Sequence, residues 1–134
     1  MASKIDNAFF FQERALGLRA HRQQVLAGNI ANADTPHYKA RDFDFTTALE
    51  EALSGRDENS LSLRLTNTRH LPGSAGEGDL NLLYRVPTQD SADGNTVEMD
   101  IERMQFTDNA IRYEAGLTFI THQVKLLQAS MQAQ

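Results

Sequence analysis

The amino-acid sequence predicts a mainly α-helical protein in which long N- and C-terminal helices pair as a coiled-coil-like domain around a small β-rich or irregular insert. Apolar residues recur at helical spacing at both ends of the chain, whereas the middle carries five of the eight glycines. The 134 residues suit one ordinary domain. We therefore divide the chain into an N-terminal helical segment, 1–36, an insert, 37–95, and a C-terminal helical segment, 96–134.

The N-terminal segment predicts a helix over residues 5–33. Phe11, Leu18 and Val25 share one apolar stripe, and residues beside the stripe widen its apolar face. Pro36 ends the segment, because proline cannot continue a helix and biases the preceding residue away from helical dihedrals.

Two amides, Asn29 and Asn32, precede this end. One interpretation is helix-end chemistry, since short amides suit the final turn of a helix. The other is that Asn29, which falls on the apolar stripe, is buried and fixes the register of a packed partner.

The insert predicts less regular structure. "FDFTTALEEAL" (43–53) has the pattern of a short helix that ends at Ser54 and Gly55. "LSLRLT" (61–66) and "LNLLYRV" (80–86) are strand candidates, "PGSAGEGD" (72–79) indicates a loop and "DSADGN" (90–95) a turn.

The C-terminal segment predicts a helix over residues 97–131, with Asn95 or Thr96 as candidate N-caps. Eight apolar residues follow a strict four-three spacing that is typical of a coiled-coil-like face: Phe106, Ala110, Tyr113, Leu117, Ile120, Val124, Leu127 and Met131. Both terminal helices have apolar faces wider than one antiparallel pair can cover. These residues therefore form either intramolecular core or contacts with other subunits.

Composition excludes several classes of function. A net charge of -5 with scattered basic residues argues against nucleic-acid binding, and the absence of cysteine excludes disulfides and thiolate chemistry. The four histidines have no metal-ligand spacing, and no catalytic motif is present, so we expect no enzyme activity, no metal and no cofactor. No apolar run could span a bilayer, and the N-terminus lacks a secretory apolar region, so we expect no cleaved signal peptide.

Three separated motifs point to a known family. "LAGNIANADTPHYKARDFDF" (26–45) places an Asn-x-Ala-Asn core before Thr-Pro and an aromatic residue, and it is followed by "TNTRHL" (66–71) and "DGNTVEMDIERMQFTDNAIRYEAGLTFI" (93–120). In this order they resemble the bacterial flagellar rod and hook axial proteins, the proximal rod subunits in particular. Relatives commonly carry Gly after the Pro, where this chain has His37. If that position needs a positive φ, histidine is among the residues that tolerate it better.

The resemblance implies a structural subunit of the proximal rod and not an enzyme. Such subunits are exported by the flagellar type III apparatus and assemble helically through their terminal helices, at the membrane-ring base in the periplasm. The implied partners are copies of the chain, FlgC-like rod subunits, a FliE-like adaptor, a membrane-ring protein and the export gate. The alternative function is a helical adaptor or secretion-chaperone-like binding module.

We expect the assembly interface to use both terminal segments: Phe11, Leu18, Val25, Asn29, Asn32, Pro36, Tyr38, Phe106, Tyr113, Leu117, Ile120, Val124 and Leu127. Members of the family also carry a short export-gate motif, a Phe followed four residues later by an apolar residue. Phe45 and Leu49 fit that motif, and an ordinary amphipathic turn explains the same pair equally well.

Overall fold

The structure, a computed structural model, describes residues 4–54, 82–89 and 91–132. In chain order its elements are helix α1 (Lys4–Ala31), strand β1 (Arg41–Asp42), helix α2 (Phe45–Ser54), strand β2 (Leu83–Tyr84) and helix α3 (Met99–Gln132). The predicted fold class is confirmed: two long terminal helices flank an insert with a small two-stranded sheet. The strand candidate 61–66 and the loop 72–79 lie outside the described residues.

Helices α1 and α3 pack against each other in antiparallel orientation. Asn109 Nδ2 donates to Arg19 O at 2.9 Å and to Gln23 Oε1 at 2.6 Å. Closer to the C-terminus of α3, Gly116 lies under Leu16, where an added Cβ would stand 2.9 Å from Leu16 Cδ2. The absence of a side chain at Gly116 therefore lets the two helices approach closely at this level.

The face of α3 that contacts α1 only partly matches the predicted four-three stripe. Asn109 and Gly116, which are polar or small, lie against α1. Leu117 and Val124 belong to the predicted stripe, yet they remain 43% and 38% exposed. Much of the apolar stripe is consequently left uncovered by the chain itself.

Helix α2 packs across α1 and closes a small apolar core. Leu18 from α1, Phe43 from the preceding loop and Ala48 from α2 are buried together. The helix begins after Asp44, whose carboxylate accepts hydrogen bonds from Thr46 N at 2.9 Å and Thr47 Oγ1 at 3.1 Å. Such N-capping satisfies backbone donors that the first turn leaves unpaired.

Strands β1 and β2 form an antiparallel pair in which Arg41 lies opposite Tyr84 and Asp42 opposite Leu83. Arg85 N extends the pairing by donating to Ala40 O at 2.9 Å. This short pairing holds residues 82–85 beside the C-terminal end of α1. None of the helices within the described ranges combines the length and the hydropathy needed to cross a membrane.

Candidate functional site

The end of the helix pair at which α1 stops and α3 starts contains an unusual amount of buried polar surface. Among the described residues, five apolar side chains are buried, and the buried polar set is equally large: Asn29, Asn95, Thr96, Glu102 and Asn109. Buried polar groups are costly unless they are hydrogen-bonded. We call the region around Asn29, Asn95 and Glu102 the polar junction.

Asn29 is the centre of the polar junction and is 1% exposed. Its Nδ2 donates to Arg41 O at 2.7 Å and to Glu102 Oε2 at 3.3 Å. Its Oδ1 accepts from Arg41 N at 3.1 Å and from the Tyr38 hydroxyl at 3.3 Å. One amide thus holds the chain that follows α1 against both α1 and α3, which fixes their register.

Asn32 has the helix-end role, which was the first of the two interpretations of these amides. Its Nδ2 donates to Gly28 O at 2.8 Å, and its Oδ1 accepts from Thr35 Oγ1 at 3.2 Å. The two amides of the "NIAN" stretch therefore have different roles. Asn29 joins three segments, whereas Asn32 satisfies groups in the last turn of α1.

Asn95, which lies far from α1 in the sequence, hydrogen-bonds to the C-terminal end of α1. Its Nδ2 lies within hydrogen-bonding distance of the carbonyl oxygens of Asn32 (3.1 Å), Ala33 (2.7 Å) and Thr35 (3.0 Å). Carbonyls at a helix C-terminus have no intrahelical donors, so this amide supplies donors to groups that α1 leaves unpaired.

The prediction that Asn95 or Thr96 caps α3 is wrong. Helix α3 begins at Met99, and its first turn closes on Glu98 O, which accepts from Glu102 N at 2.9 Å. Thr96 instead accepts a hydrogen bond at Oγ1 from Ala40 N, at 2.8 Å. Both residues are used to join segments.

The sequence left open whether the position after Pro36 needs a positive φ, and the structure shows that it has one. His37 has a φ of 61°, in the left-handed region that favours glycine and that histidine tolerates better than most residues. His37 N donates to Asp93 O at 3.0 Å, and Gly94, with a φ of 71°, packs against the imidazole. The predicted turn at 90–95 is present over Ser91–Gly94, where Gly94 N donates to Ser91 O at 3.0 Å.

An ion network lines the polar junction. Arg22 from α1 pairs with Asp42 from β1, with Nη2 and Oδ2 2.8 Å apart. Arg85, next to β2, bridges Asp42 at 2.7 Å and Glu102 at 2.5 Å, and it also donates to Gln105 Oε1 at 2.7 Å. Two arginines thus lie against two carboxyl groups, and each carboxyl group has a cationic partner.

The two carboxyl groups respond to this environment in opposite directions. Burial acts to raise the pKa of Asp42, but the hydrogen bond from Arg22 and the charges of Arg22 and Arg85 outweigh it, so the pKa is lowered. Burial raises the pKa of Glu102, and the charge of Arg85 and the hydrogen bond from Asn29 offset only part of that rise. The environment therefore favours the ionised form of Asp42 and disfavours the ionised form of Glu102.

The structure places the predicted interface residues in three environments. Leu18 and Asn29 are buried within the chain. Half-buried residues are Val25, Asn32, Tyr38, Phe106, Tyr113 and Ile120. Exposed residues are Phe11, Pro36, Leu117, Val124 and Leu127. The exposed set is free to contact another subunit, whereas Leu18 and Asn29 hold the chain itself together.

Sequence reasoning missed the members of the ion network. Asp42 and Glu102 were visible only as scattered carboxylates, and Arg85 sits at the end of a strand candidate. They meet because β1 pairs with β2 in one register and because α3 starts beside them. The four-three spacing continues backwards from Phe106 to Arg103, which is exposed, so it gave no signal for the buried Glu102.

The hydrogen bonds and ion pairs of the polar junction hold segments of the chain together. Comparison with known proteins agrees with a structural role. A family model described as flagella basal body rod protein matches residues 10–39, which cover α1 from Phe10 and the loop through Lys39. The chain is 50% identical to the flagellar basal body rod protein FlgB of Proteus mirabilis, over 98% of each chain. It is 51% identical to FlgB of Salmonella typhimurium over 93% of each, and 48% identical to FlgB of Escherichia coli over 99% of each.

The chain belongs to the FlgB family of flagellar basal body rod proteins. As a FlgB-family protein it is a structural component of the basal body rod and not an enzyme. The stretch that the family model matches includes Asn29, Asn32 and Tyr38, which build the polar junction together with the start of α3.

Proposed function

We propose that this FlgB-family chain is a subunit of the proximal rod, placed in the periplasm at the membrane-ring base and exported there by the flagellar type III apparatus. It assembles helically with its neighbours through the terminal helices. The observation that carries this proposal is the apolar surface that the second half of α3 leaves exposed.

The exposed apolar side chains lie on two sides of α3, because at 3.6 residues per turn Leu117 and Met131 fall on one side and Ile111 and Phe119 on the other. From residue 111 to the end of α3, seven large apolar side chains are more than a third exposed: Ile111, Leu117, Phe119, Val124, Leu126, Leu127 and Met131. Full burial of one such side chain contributes about 1.5–3 kcal/mol, so even partial burial of several is substantial. Exposed apolar patches of this kind mark interaction surfaces.

The position of the surface supports assembly over a role confined to one chain. Leu16 contacts Gly116, and the helices are antiparallel, so Met131 near the C-terminus of α3 projects beyond the start of α1. Contacts between different patches on identical subunits produce closed rings or, when the rotation between subunits does not close, open helical arrays, and the second outcome is the symmetry of a rod. Family membership supports this reading, and it gives no support to the adaptor or chaperone alternative.

The proposed partners are copies of the chain, FlgC-like rod subunits, a FliE-like adaptor and a membrane-ring protein. They follow from the family, and the exposed faces of α1 and α3 supply surfaces suited to helical partners. The rod subunits on either side are expected to present amphipathic helices, because these faces are long, narrow and apolar.

The proposed export-gate motif lies in α2. Phe45 and Leu49 are half-buried and pack against the small core of Leu18, Phe43 and Ala48, and Arg19 lies over the Phe45 ring at 4.4 Å. The folded protein therefore covers both side chains in part. The motif would be read by the export gate while the chain is unfolded.

Substitution of Leu117 tests the proposal. Leu117 is 43% exposed, so Leu117→Asp should leave the folded chain intact while placing a charge in the assembly surface. We expect export into the periplasm to continue and rod assembly, read as swimming and as recovery of intact basal bodies, to be lost. Leu117→Met is the matched control, because it keeps an apolar side chain of similar volume.

Loss of export with normal assembly of the purified Leu117→Asp subunit would contradict the assigned role. Ile120→Asp is expected to block assembly as well, but it is the less selective change. Ile120 is half-buried, so a charge there also disturbs packing within the chain.

A further inference from the structure

The two outward sides of the helix pair carry different, complementary features. We propose that Phe10 and Arg14 of one subunit dock into a shallow depression on α3 of a second copy, so that the two faces form the lateral contact between neighbouring subunits. This inference rests on the proposed function and specifies which face meets which.

The depression lies on the exposed side of α3. Apolar Ile111, Ala115 and Phe119 line it together with polar Glu114, Thr118 and His122. Ile111 is 62% exposed and Phe119 54% exposed. Nothing among the described residues covers this depression, although half of its lining is apolar.

The knob lies on the exposed side of α1. The Phe10 ring is 39% exposed, and the Arg14 guanidinium carbon lies 5.3 Å from its centroid. This places an aromatic surface and a positive charge side by side, one helical turn apart. Among the described residues Arg14 forms no salt bridge.

The knob and the depression cannot meet within one chain. Helix α1 contacts α3 through Leu16, Arg19 and Gln23. At 3.6 residues per turn, Phe10 and Arg14 lie on the opposite side of α1 from those residues.

The same reasoning applies to α3. It contacts α1 through Phe106, Asn109 and Gly116. At 3.6 residues per turn, Ile111 and Thr118 lie on the opposite side of α3 from those residues. Every copy therefore presents the knob on one outer side of the helix pair and the depression on the other, so the contact is heterologous, which gives an open helical array when the rotation between copies does not close a ring.

The two features also lie at nearly the same level along the pair. Since Leu16 faces Gly116 in an antiparallel arrangement, Phe10 is level with His122 and Arg14 with Thr118. A neighbour shifted by about one helical turn, ~5.4 Å, would bring Phe10 over the centre of the depression and Arg14 level with Glu114.

The charges fit this arrangement. Glu114, which lines the depression, forms no ion pair in the part of the chain that the structure describes. It would form a salt bridge with the Arg14 guanidinium of the neighbouring copy. The Phe10 ring would meet the Phe119 ring and Ile111, where aromatic and aliphatic contacts contribute beyond simple burial. A charge pair beside an apolar contact fixes orientation as well as affinity.

Cysteine cross-linking tests the contact, and the absence of native cysteines makes the result unambiguous. Phe10→Cys and Thr118→Cys are introduced together into the full chain, which replaces the native copy in a flagellated bacterium. Oxidation of purified basal bodies should give a ladder of dimers, trimers and higher species. The matched control is Gln24→Cys with Thr118→Cys, because Gln24 is exposed on α1 but lies almost four turns further along.

Charge exchange gives a second, independent readout. Arg14→Glu and Glu114→Arg should each reduce swimming, and the double variant should restore it. A ladder no stronger than that of the Gln24 control, or a double variant no better than either single one, would overturn the contact. If the tagged wild-type chain were missing from purified basal bodies, the proposed function itself would fail, and the two failures are thereby distinguished.

Discussion

The two ends of the helix pair differ in the chemistry of the side chains that they bury and expose. At the polar junction, charged and amide side chains are buried and paired within one chain, as Asn29 and Glu102 show. At the other end, apolar side chains such as Leu126 and Met131 are 58% and 72% exposed. The polar groups of the junction find their partners within one chain, whereas the second half of α3 leaves apolar side chains exposed, which the proposed assembly would cover.

The groups that fix the register of the two helices and the exposed apolar groups therefore lie at different ends of the helix pair. Buried hydrogen bonds at the junction fix register, because a slip would leave several polar groups without partners. Burial of exposed apolar side chains such as Leu126 and Met131 is favourable and non-directional, so these residues suit the proposed association without themselves fixing a register.

The largest expected effect separates the two halves of α3 directly. In a dilute monomer, amides around Glu102–Asn109 should exchange with solvent more slowly than those after residue 118, by roughly two to three orders of magnitude, because local opening ranges from near zero cost to the global stability. Hydrogen exchange followed by mass spectrometry measures this difference. Uniform protection along α3 would show that the monomer needs no neighbour.

Removal of the buried carboxylate should cost most of the stability at the junction. Glu102→Ala leaves Arg85 without one of its two carboxylate partners, and breaking a buried ion pair typically costs about 3–5 kcal/mol. Urea unfolding followed by circular dichroism gives the value. Glu50→Ala, at an exposed position of α2, is the matched control and should change stability by less than about 0.5 kcal/mol.

Acid should weaken the junction through Asp42. Its folded-state pKa is lowered, so its contribution to the free energy of unfolding is complete above the usual value and is lost as the pH falls through the folded pKa. Asp42→Asn should therefore show a shallower loss of stability than the wild type below about pH 4. Equal slopes for the two proteins would argue that the ion network does not control acid stability.

Glu102 should show the opposite pH dependence of stability to Asp42. Its pKa is raised in the folded state, so its contribution opposes folding as the pH rises through the usual value towards the raised one. Glu102→Gln should remove this decline, whatever its effect on overall stability. The same pH series of unfolding curves measures both groups.

The smallest expected effect concerns two glycines. Gly17 lies in α1 with no atom within 4 Å of an added Cβ, so Gly17→Ala should stabilise the monomer by about 0.5–1 kcal/mol. Gly116→Ala should gain less, since its Cβ would meet Leu16 and displace that side chain. Equal gains in thermal unfolding would show that α1 and α3 are already loosely packed at Gly116.

Much of the fold could be predicted because helical periodicity is a local property. The helices expected over 5–33, 43–53 and 97–131 are found at Lys4–Ala31, Phe45–Ser54 and Met99–Gln132. For His37 the sequence indicated only that histidine tolerates a positive φ if the loop needs one, and the structure shows that the loop does. The identity of the family followed from three short motifs that lie in order along the chain.

Apart from the buried Asn29, which was one of two interpretations of the sequence, the polar junction could not be predicted, because it depends on contacts between distant segments. A strand of two residues, such as β1 or β2, has no periodicity to detect, yet it sets Arg85 beside Asp42. Asn95 was expected to start α3 and instead ends α1. The side of α3 that faces α1 also depended on Gly116, a residue that contributes nothing to an apolar stripe.

The span of the Asn29–Glu102 hydrogen bond sets a condition on how the chain can be delivered. Its two residues are 73 positions apart, and Arg85, which also grips Glu102, comes late in the interval between them. A polypeptide threaded through a narrow conduit, whichever terminus leads, cannot close this clasp until both residues have emerged. If the chain is exported as proposed, the polar junction therefore closes only after passage through the conduit.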